Sequence, residues 1–330
     1  MTDELKADVV LEGGGVKGIA LVGALSGLMG AGYSFPRVAG TSAGAIVGAL
    51  LAAGKSAVDM RSLMAATDYR RFQDESWLDA LPGGKILSLL VDDGIYEGEY
   101  LRSWLDEVLG DVDTFAQLAL PDDPDSALPQ HQRYRLVVNV SDVSLGRLVR
   151  FPWDYDRVYG LDPGGQRIAD AVRASMSIPF FFEPVRFEYE RDLAGRRQAA
   201  HSVLVDGGML SNFPIDIFDR RDGRPPRWPT FGIKLSSRPG ALADSFPKEV
   251  DGPFELTKAM IGTMTSFRDA MHVDEEAVQA RTIFVDTMGV KSTDFDIDAA
   301  TQEALFQSGA AAAGEFLDGW DFDRYVDDHR

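Results

Sequence analysis

Two glycine clusters near the N-terminus do most to limit what this chain can fold into. "VVLEGGGVKG" spans residues 9–18 and "VAGTSAG" spans residues 38–44. Each follows a short apolar run and opens onto a long uncharged stretch, residues 18–36 and 38–54. Residues 8–11 and 37–39 read as short strands. Residues 19–29 and 45–53 are apolar nearly all round, as helices buried on every side are, and Gly30 and Gly32 end the first. Turn residues interrupt both stretches, so they read as buried helices with their connections and not as membrane spans of roughly 20 mainly apolar residues. Strand, glycine loop, helix, strand, tight turn and helix make the opening of a parallel sheet with covered faces, an α/β fold.

The first cluster places Gly13, Gly15 and Gly18 in the order G-x-G-x-x-G between a strand and a helix, the context a nicotinamide dinucleotide site requires. Such a site also needs an acidic residue about 20 positions on, to hold the ribose. Residues 13–58 contain no Asp or Glu, although the chain has 52. A P-loop does not fit either, because Gly18 follows Lys17 where Ser or Thr is required. The chemistry that suits Gly13, Gly14 and Gly15 is stabilisation of a small anion by main-chain N–H groups, aided by the N-terminus of the next helix. Lys17, Arg37 and Lys55 make this stretch locally positive in a chain of net charge −19.

The second cluster is G-x-S-x-G between strand and helix, the pattern of a nucleophile elbow. Gly40 and Gly44 let strand and helix approach closely, and Ser42 stands at the tip. An attacking serine needs a proton acceptor. The four histidines, His131, His201, His272 and His329, all lack a compelling context. His131 is in a polar loop and His329 is penultimate. His272 sits in a charged helical stretch. His201 precedes Asp206 by an odd number of residues, so on a regular strand the two face opposite ways. "SVLVDGGMLSNFP" (residues 202–214) offers Asp206 at the end of an apolar β-rich run. Asp-Gly occurs five times, at 93, 206, 222, 251 and 318, and only Asp206 combines a buried-strand lead-in with a second glycine. A histidine-dependent esterase and a dinucleotide-binding protein stay open beside the serine–aspartate reading.

Further along, residues 60–109 read as mostly helical, with Leu101, Trp104, Leu105 and Val108 at helical spacing. Residues 120–132 form a polar, proline-rich loop. A strand pair follows around Ser144, Leu145 and Gly146, then a helix ending near Ser177 and an aromatic loop. Strands are expected at 187–189 and 202–205, joined by the polar segment 191–198, and again at 230–235 and 282–285. Residues 301–317 read as a helix, and the acidic tail from Asp318 as surface. There is no clean linker, so one domain over residues 1–330 is expected. The chain has no cysteine, which excludes disulfides and thiolate metal sites. "DFDIDA" (residues 294–299) lacks the glycine and the final glutamate of a calcium loop, so no metal or other cofactor is expected. The acidic balance argues against nucleic acid and against general attraction to anionic membranes. The N-terminus has no basic start or apolar core of a secretory signal. A cytoplasmic location is expected, with export as an effector also open.

Taken together, G-G-G-x-K-G after the first strand, G-T-S-A-G after the second and D-G-G late in the chain resemble the patatin-like phospholipases. Lesser matches run through residues 94–105, "TFAQL", "SDVSLGRLVRF", "ASMSIPFFFEPV" and Asn212-Phe213-Pro214. The motif-bearing core spans about residues 8–215, with residues 216–330 completing or capping it. Glu12 departs from the Asp that many members carry there. The resemblance implies a three-layer α/β/α fold with a mainly parallel sheet and a Ser–Asp dyad without histidine. Ser42 would be the nucleophile, Asp206 the general base, and Gly13, Gly14 and Gly15 the oxyanion loop, with Lys17 beside it. The implied activity is hydrolysis of fatty-acyl esters of lipids, of phospholipase A or lysophospholipase type. A lipid or phospholipid substrate follows, with transient membrane contact and room for a protein activator. Ile178 with Phe180, Phe181 and Phe182 would line an acyl channel or an apolar lip, or pack in the core.

Overall fold

The computed structural model describes residues 5–67, 98–123, 126, 128–179, 181–193, 196–236, 259, 263, 275–292 and 294–330. In chain order the elements are β1 (Leu5–Lys6), β2 (Asp8–Leu11), α1 (Gly18–Gly30), β3 (Tyr33–Ser34), β4 (Val38–Thr41), α2 (Ala43–Ala52) and α3 (Ala57–Ala66). Then come α4 (Glu99–Leu109), β5 (Leu136–Asp142), β6 (Arg147–Phe151), α5 (Ile168–Ser175), β7 (Val185–Leu193), β8 (Arg196–Asp206) and β9 (Thr230–Lys234). The chain closes with α6 (Glu276–Gln279), β10 (Thr282–Phe284), α7 (Ala299–Gly319) and α8 (Phe322–His329). No helix among the described residues is long and apolar enough to cross a membrane.

The central sheet runs β10-β9-β2-β4-β5-β8-β7, with β6 also on β5. From β10 to β5 all pairs are parallel; β6 and β8 run antiparallel to β5, and β7 pairs antiparallel with β8. Alternation along the strands splits the core in two. Val9, Leu11, Val38, Val138 and Val140 face a large cluster built with α1, α2, α4, α5 and α7. Val10, Ala39 and Val137 face a smaller one with Trp153, Phe213, Ile215, Phe218 and Val278. The expected stripe on α4 is real: Leu101, Leu105 and Val108 are buried, and Trp104 packs against the same cluster.

Order reverses at β2: the chain leaves it for β4 on one side, and β9 and β10 later fill the other. In open α/β sheets the crevice at the carboxyl ends of strands flanking such a switch is where ligands bind. Gly13 and Ser42 both follow the carboxyl ends of these strands.

Two expectations are corrected. The polar segment 191–198 is not a connection, because β7 and β8 pair through Leu193 and Arg196. Exposed side chains such as Glu188 and Arg197 tolerate this, since the arm extends beyond the buried sheet. The acidic tail from Asp318 is not simply surface. Trp320 lies 5.0 Å from Phe231 and 5.3 Å from Phe316 between ring centres. Tyr325 is buried, and Arg330 donates to Asp219 at 2.8 Å. The acidic residues Asp323, Asp327 and Asp328 stay on the outer side of α8.

Candidate active site

Ser42 occupies the turn between β4 and α2 with φ 53° and ψ −125°. A non-glycine residue in this region carries about 1–3 kcal/mol of backbone strain, which the surroundings must hold in place. The flanking glycines explain how. A Cβ at Gly44 would lie 2.4 Å from the Leu11 carbonyl oxygen, and one at Gly40 would lie 2.2 Å from the Gly44 oxygen. Helix α2 therefore starts in main-chain contact with β2 and β4, and positions 40 and 44 have no room for a side chain.

The edge of β5 brings Asp206 to the same place. β6 pairs with β5 over Val138 to Asp142 on one edge. The other edge is shared end to end. β4 runs along it until Thr41 stands opposite Asn139, and β8 arrives from the far end, with Asp206 opposite Val140. Thr41 and Asp206 thus occupy consecutive register positions, and the chain turns out of the sheet at both. Gly207 tolerates this closeness, since a Cβ there would lie 2.2 Å from the Asn139 oxygen and 3.0 Å from Cγ2 of Thr41.

Both residues are nearly sealed from solvent, Ser42 at 4% and Asp206 at 6% exposure. The Ser42 hydroxyl donates to Sδ of Met176 at 3.3 Å, and it lies near enough to the Asp206 carboxylate to pull its pKa down. Burial pushes the Asp206 pKa up to about 6, against the pull of the Ser42 hydroxyl and the Gly208 N–H. The Gly208 N–H donates to Asp206 Oδ1 at 2.7 Å. A carboxylate with that value is a better base than an ordinary aspartate and is still ionised at neutral pH.

The glycine loop lies against this pair. A Cβ at Gly13 would be 3.1 Å from Cβ of Ser42 and 2.2 Å from Oδ1 of Asn212. The Gly13 N–H is engaged by the Asn212 carbonyl at 3.4 Å, and that of Val16 by Ser292 at 3.1 Å. The N–H groups of Gly14 and Gly15 have no acceptor among the described residues, and Gly15 takes φ +55°. Burial is the main cause lowering the Lys17 pKa; the Glu12 carboxylate opposes it, and Lys234 reinforces it. Glu12 itself is a pin: it pairs with Lys234 and accepts the Leu235 N–H, tying the end of β2 to β9.

Some expected contributors sit elsewhere. Arg37 precedes β4, at the opposite end of the strand from Ser42, and is paired with Asp8, so it adds nothing to the charge of the glycine loop. Phe182 is buried in the core, and Phe181 stacks on Phe295 at 5.2 Å, so packing accounts for both; Phe180 lies outside the described residues. Ile178 packs at the margin of the same core. His131 contacts Arg157, His201 faces Glu188 across the hairpin, and His329 packs on Tyr325. None of these three partners Ser42 or Asp206, and His272 lies outside the described residues. Beside β2, strand β4 ends at Thr41 and runs into Ser42, with no carboxylate there for a ribose.

Three residues matter here that spacing alone did not single out. The Ser42 N–H donates to Oγ of Ser175 at 2.9 Å, and Ser175 donates in turn to the Asn139 carbonyl at 2.7 Å. The Asp206 N–H donates to the Ser177 carbonyl at 2.8 Å. Asn212 bridges from the other side, with Nδ2 donating to the Gly13 carbonyl at 3.1 Å. The only signal for them was their place in the "ASMSIP" and "SNFP" segments.

Comparison with known proteins identifies the family. The chain is 33% identical to the uncharacterized protein YqhO of Bacillus subtilis (strain 168) over 319 residues, 96% of this chain and 99% of that protein. Its fold is similar to VipD from Legionella pneumophila, with a TM-score of 0.50 at 17% identity, covering 94% of this chain and 66% of VipD. It is also similar to ExoU of the ExoU–SpcU complex from the type III secretion system of Pseudomonas aeruginosa, with a TM-score of 0.50 at 18% identity, covering 98% of this chain. The chain spans about half of that ExoU chain, 52%. The patatin-like phospholipase family model matches residues 9–219, the span that holds the glycine loop, the elbow and the Asp-Gly-Gly turn. The chain therefore belongs to the patatin-like phospholipase family of lipid acyl hydrolases.

Proposed function

We propose that the chain cleaves fatty-acyl esters of phospholipids or lysophospholipids through Ser42 and Asp206. The observation that carries this reading is the shared edge of β5, where Thr41 and Asp206 end two strands at adjacent positions, so that the strained Ser42, one residue past Thr41, meets a buried carboxylate with a pKa near 6.

Asp206 accepts the hydroxyl proton as Ser42 Oγ bonds to the ester carbonyl carbon. The carbonyl oxygen becomes an oxyanion held by the Gly14 and Gly15 N–H groups, with Lys17 adding positive potential. Such donors are worth roughly 2.7–4 kcal/mol each in other hydrolases. The C–O bond to the alcohol then breaks, and Asp206 returns the proton to the leaving oxygen. Water enters, Asp206 removes its proton, attack on the acyl-enzyme frees the fatty acid, and Asp206 returns the proton to the departing Ser42 Oγ. Gly13 holds the loop against Ser42, and Gly40 and Gly44 hold the elbow. An acyl chain filling the site excludes water and keeps the base desolvated.

The test is turnover of phospholipid and lysophospholipid micelles by the wild type, Ser42→Ala and Asp206→Asn. Both variants should lose hydrolysis while keeping the far-ultraviolet circular dichroism of the wild type. Near-full turnover by Asp206→Asn would remove Asp206 from the role of base.

A further inference from the structure

A cavity of about 770 Å³ lies at the other end of the sheet from Ser42. Its wall includes Asp8 and Thr230, the first residues of β2 and β9, and Arg37 just before β4. At about 3.3 Å per residue, the five residues from Arg37 to Ser42 separate the two sites by roughly 16 Å.

The charge of this cavity is opposite to that of the chain. Ten arginines and Lys6 line it, against four aspartates, in a protein of net charge −19. Asp122 and Asp216 pair with its arginines from outside, and Asp154 accepts the Arg150 N–H beside it, which still leaves an excess of four cations among the described residues. Some of the arginines are structural. Arg37 is buried against Asp8, and Arg281 forks onto Asp219 at 2.6 and 2.8 Å. Others are not neutralised. Arg157 meets the His131 ring nitrogen at 3.1 Å instead of a carboxylate. Arg224 is exposed; its main-chain N–H donates to Asp222 at 3.3 Å, and its guanidinium makes no ion pair among the described residues. Burial first, and Arg157 second, lower the His131 pKa, against the opposing pull of Asp154.

Buried donors in the same wall also lack acceptors among the described residues. The indole N–H of Trp153, a residue 4% exposed, has no partner among the described residues, and neither does Nε of Arg281. Buried donors left unpaired are costly, and an incoming acceptor relieves them. Phe218 and Trp228 supply flat apolar surface beside the charges. Gathering like charges around a concave wall focuses the field there, whatever the charge of the whole molecule. The geometry points to a second ligand site, one that takes a phosphate-bearing polyanion remote from the ester-cleaving residues. Arginine forks suit phosphate oxygens in pairs, and the volume is that of a small-molecule site.

The test uses calorimetric titration with inorganic tripolyphosphate and, separately, flotation with phosphatidylcholine vesicles doped with phosphatidic acid. Each compares the full-length wild type with Arg157→Gln/Arg224→Gln. Both substituted residues are exposed, and an unchanged melting temperature verifies that the double variant folds. The wild type should bind at least one probe, more weakly as salt is added. The double variant should bind it at least about tenfold more weakly. Binding of tripolyphosphate assigns a free polyphosphate ligand, and binding of the vesicles alone assigns a lipid headgroup. Failure of both probes, or equal binding by the double variant, overturns the site.

Discussion

The N–H of Ser42 donates to the hydroxyl of Ser175 at 2.9 Å, and that hydroxyl donates to the carbonyl of Asn139 in β5. The strained turn is thus tied through one side chain to the strand whose edge also positions Asp206. Two residues further along, the Ser177 carbonyl receives the Asp206 N–H at 2.8 Å. One short segment therefore grips both halves of the proposed dyad.

Ser175→Ala leaves the Ser42 N–H buried without an acceptor. It should cost about 1–3 kcal/mol of stability and, by loosening the elbow, lower kcat about 10- to 100-fold with KM little changed. Denaturant unfolding and steady-state kinetics on a soluble ester measure the two. A kcat equal to that of the wild type would show that the elbow holds itself.

Asp206 should impose a pH dependence of opposite sign on activity and stability. The proposed base must be ionised, so kcat/KM should rise with pH through about 6. The same group binds its proton more tightly folded than unfolded, so the folded state loses stability as pH rises from about 4 to 6. At neutral pH the penalty approaches 3 kcal/mol. Asp206→Asn should therefore unfold at higher denaturant than the wild type at pH 7 and at nearly the same denaturant below pH 4. A variant less stable at pH 7 would contradict the burial argument.

Gly44→Ala drives a methyl group to 2.4 Å from the Leu11 carbonyl oxygen and 2.7 Å from that of Glu12. Main chain cannot yield there without parting α2 from β2, so the loss should be on the order of 3 kcal/mol. Thermal unfolding measures it, and a wild-type midpoint would mean that the helix shifts freely.

Replacing all four histidines separates a dyad from a histidine-dependent esterase. Losing a histidine base would cost about 100- to 10,000-fold in rate. The quadruple variant should instead hydrolyse the same ester at a rate close to that of the wild type.

Much of this was legible because the first 53 residues are locally consistent. Strand, glycine loop and buried helix follow twice, and the elbow glycines carry their own steric reason. Asp206 was legible as a strand end, but not as a neighbour of Thr41. That depends on two strands sharing one edge of β5, a relation no local pattern encodes. Ser175 and Ser177 look like ordinary helix-end serines until the elbow is seen resting on them. The arginine cavity was hidden for a similar reason. Its residues are scattered from Lys6 to Arg330, and the net charge of −19 masks their convergence. The tail misled because its acidic residues outnumber Trp320 and Tyr325, which do the packing.

The central claim is tested most directly by fluorophosphonate labelling followed by peptide mapping of the adduct. The account predicts covalent modification at Ser42 in the wild type and in the histidine-free variant, and labelling that is lost or greatly slowed in Asp206→Asn. An adduct on another residue, or labelling of Asp206→Asn at the wild-type rate, would contradict it.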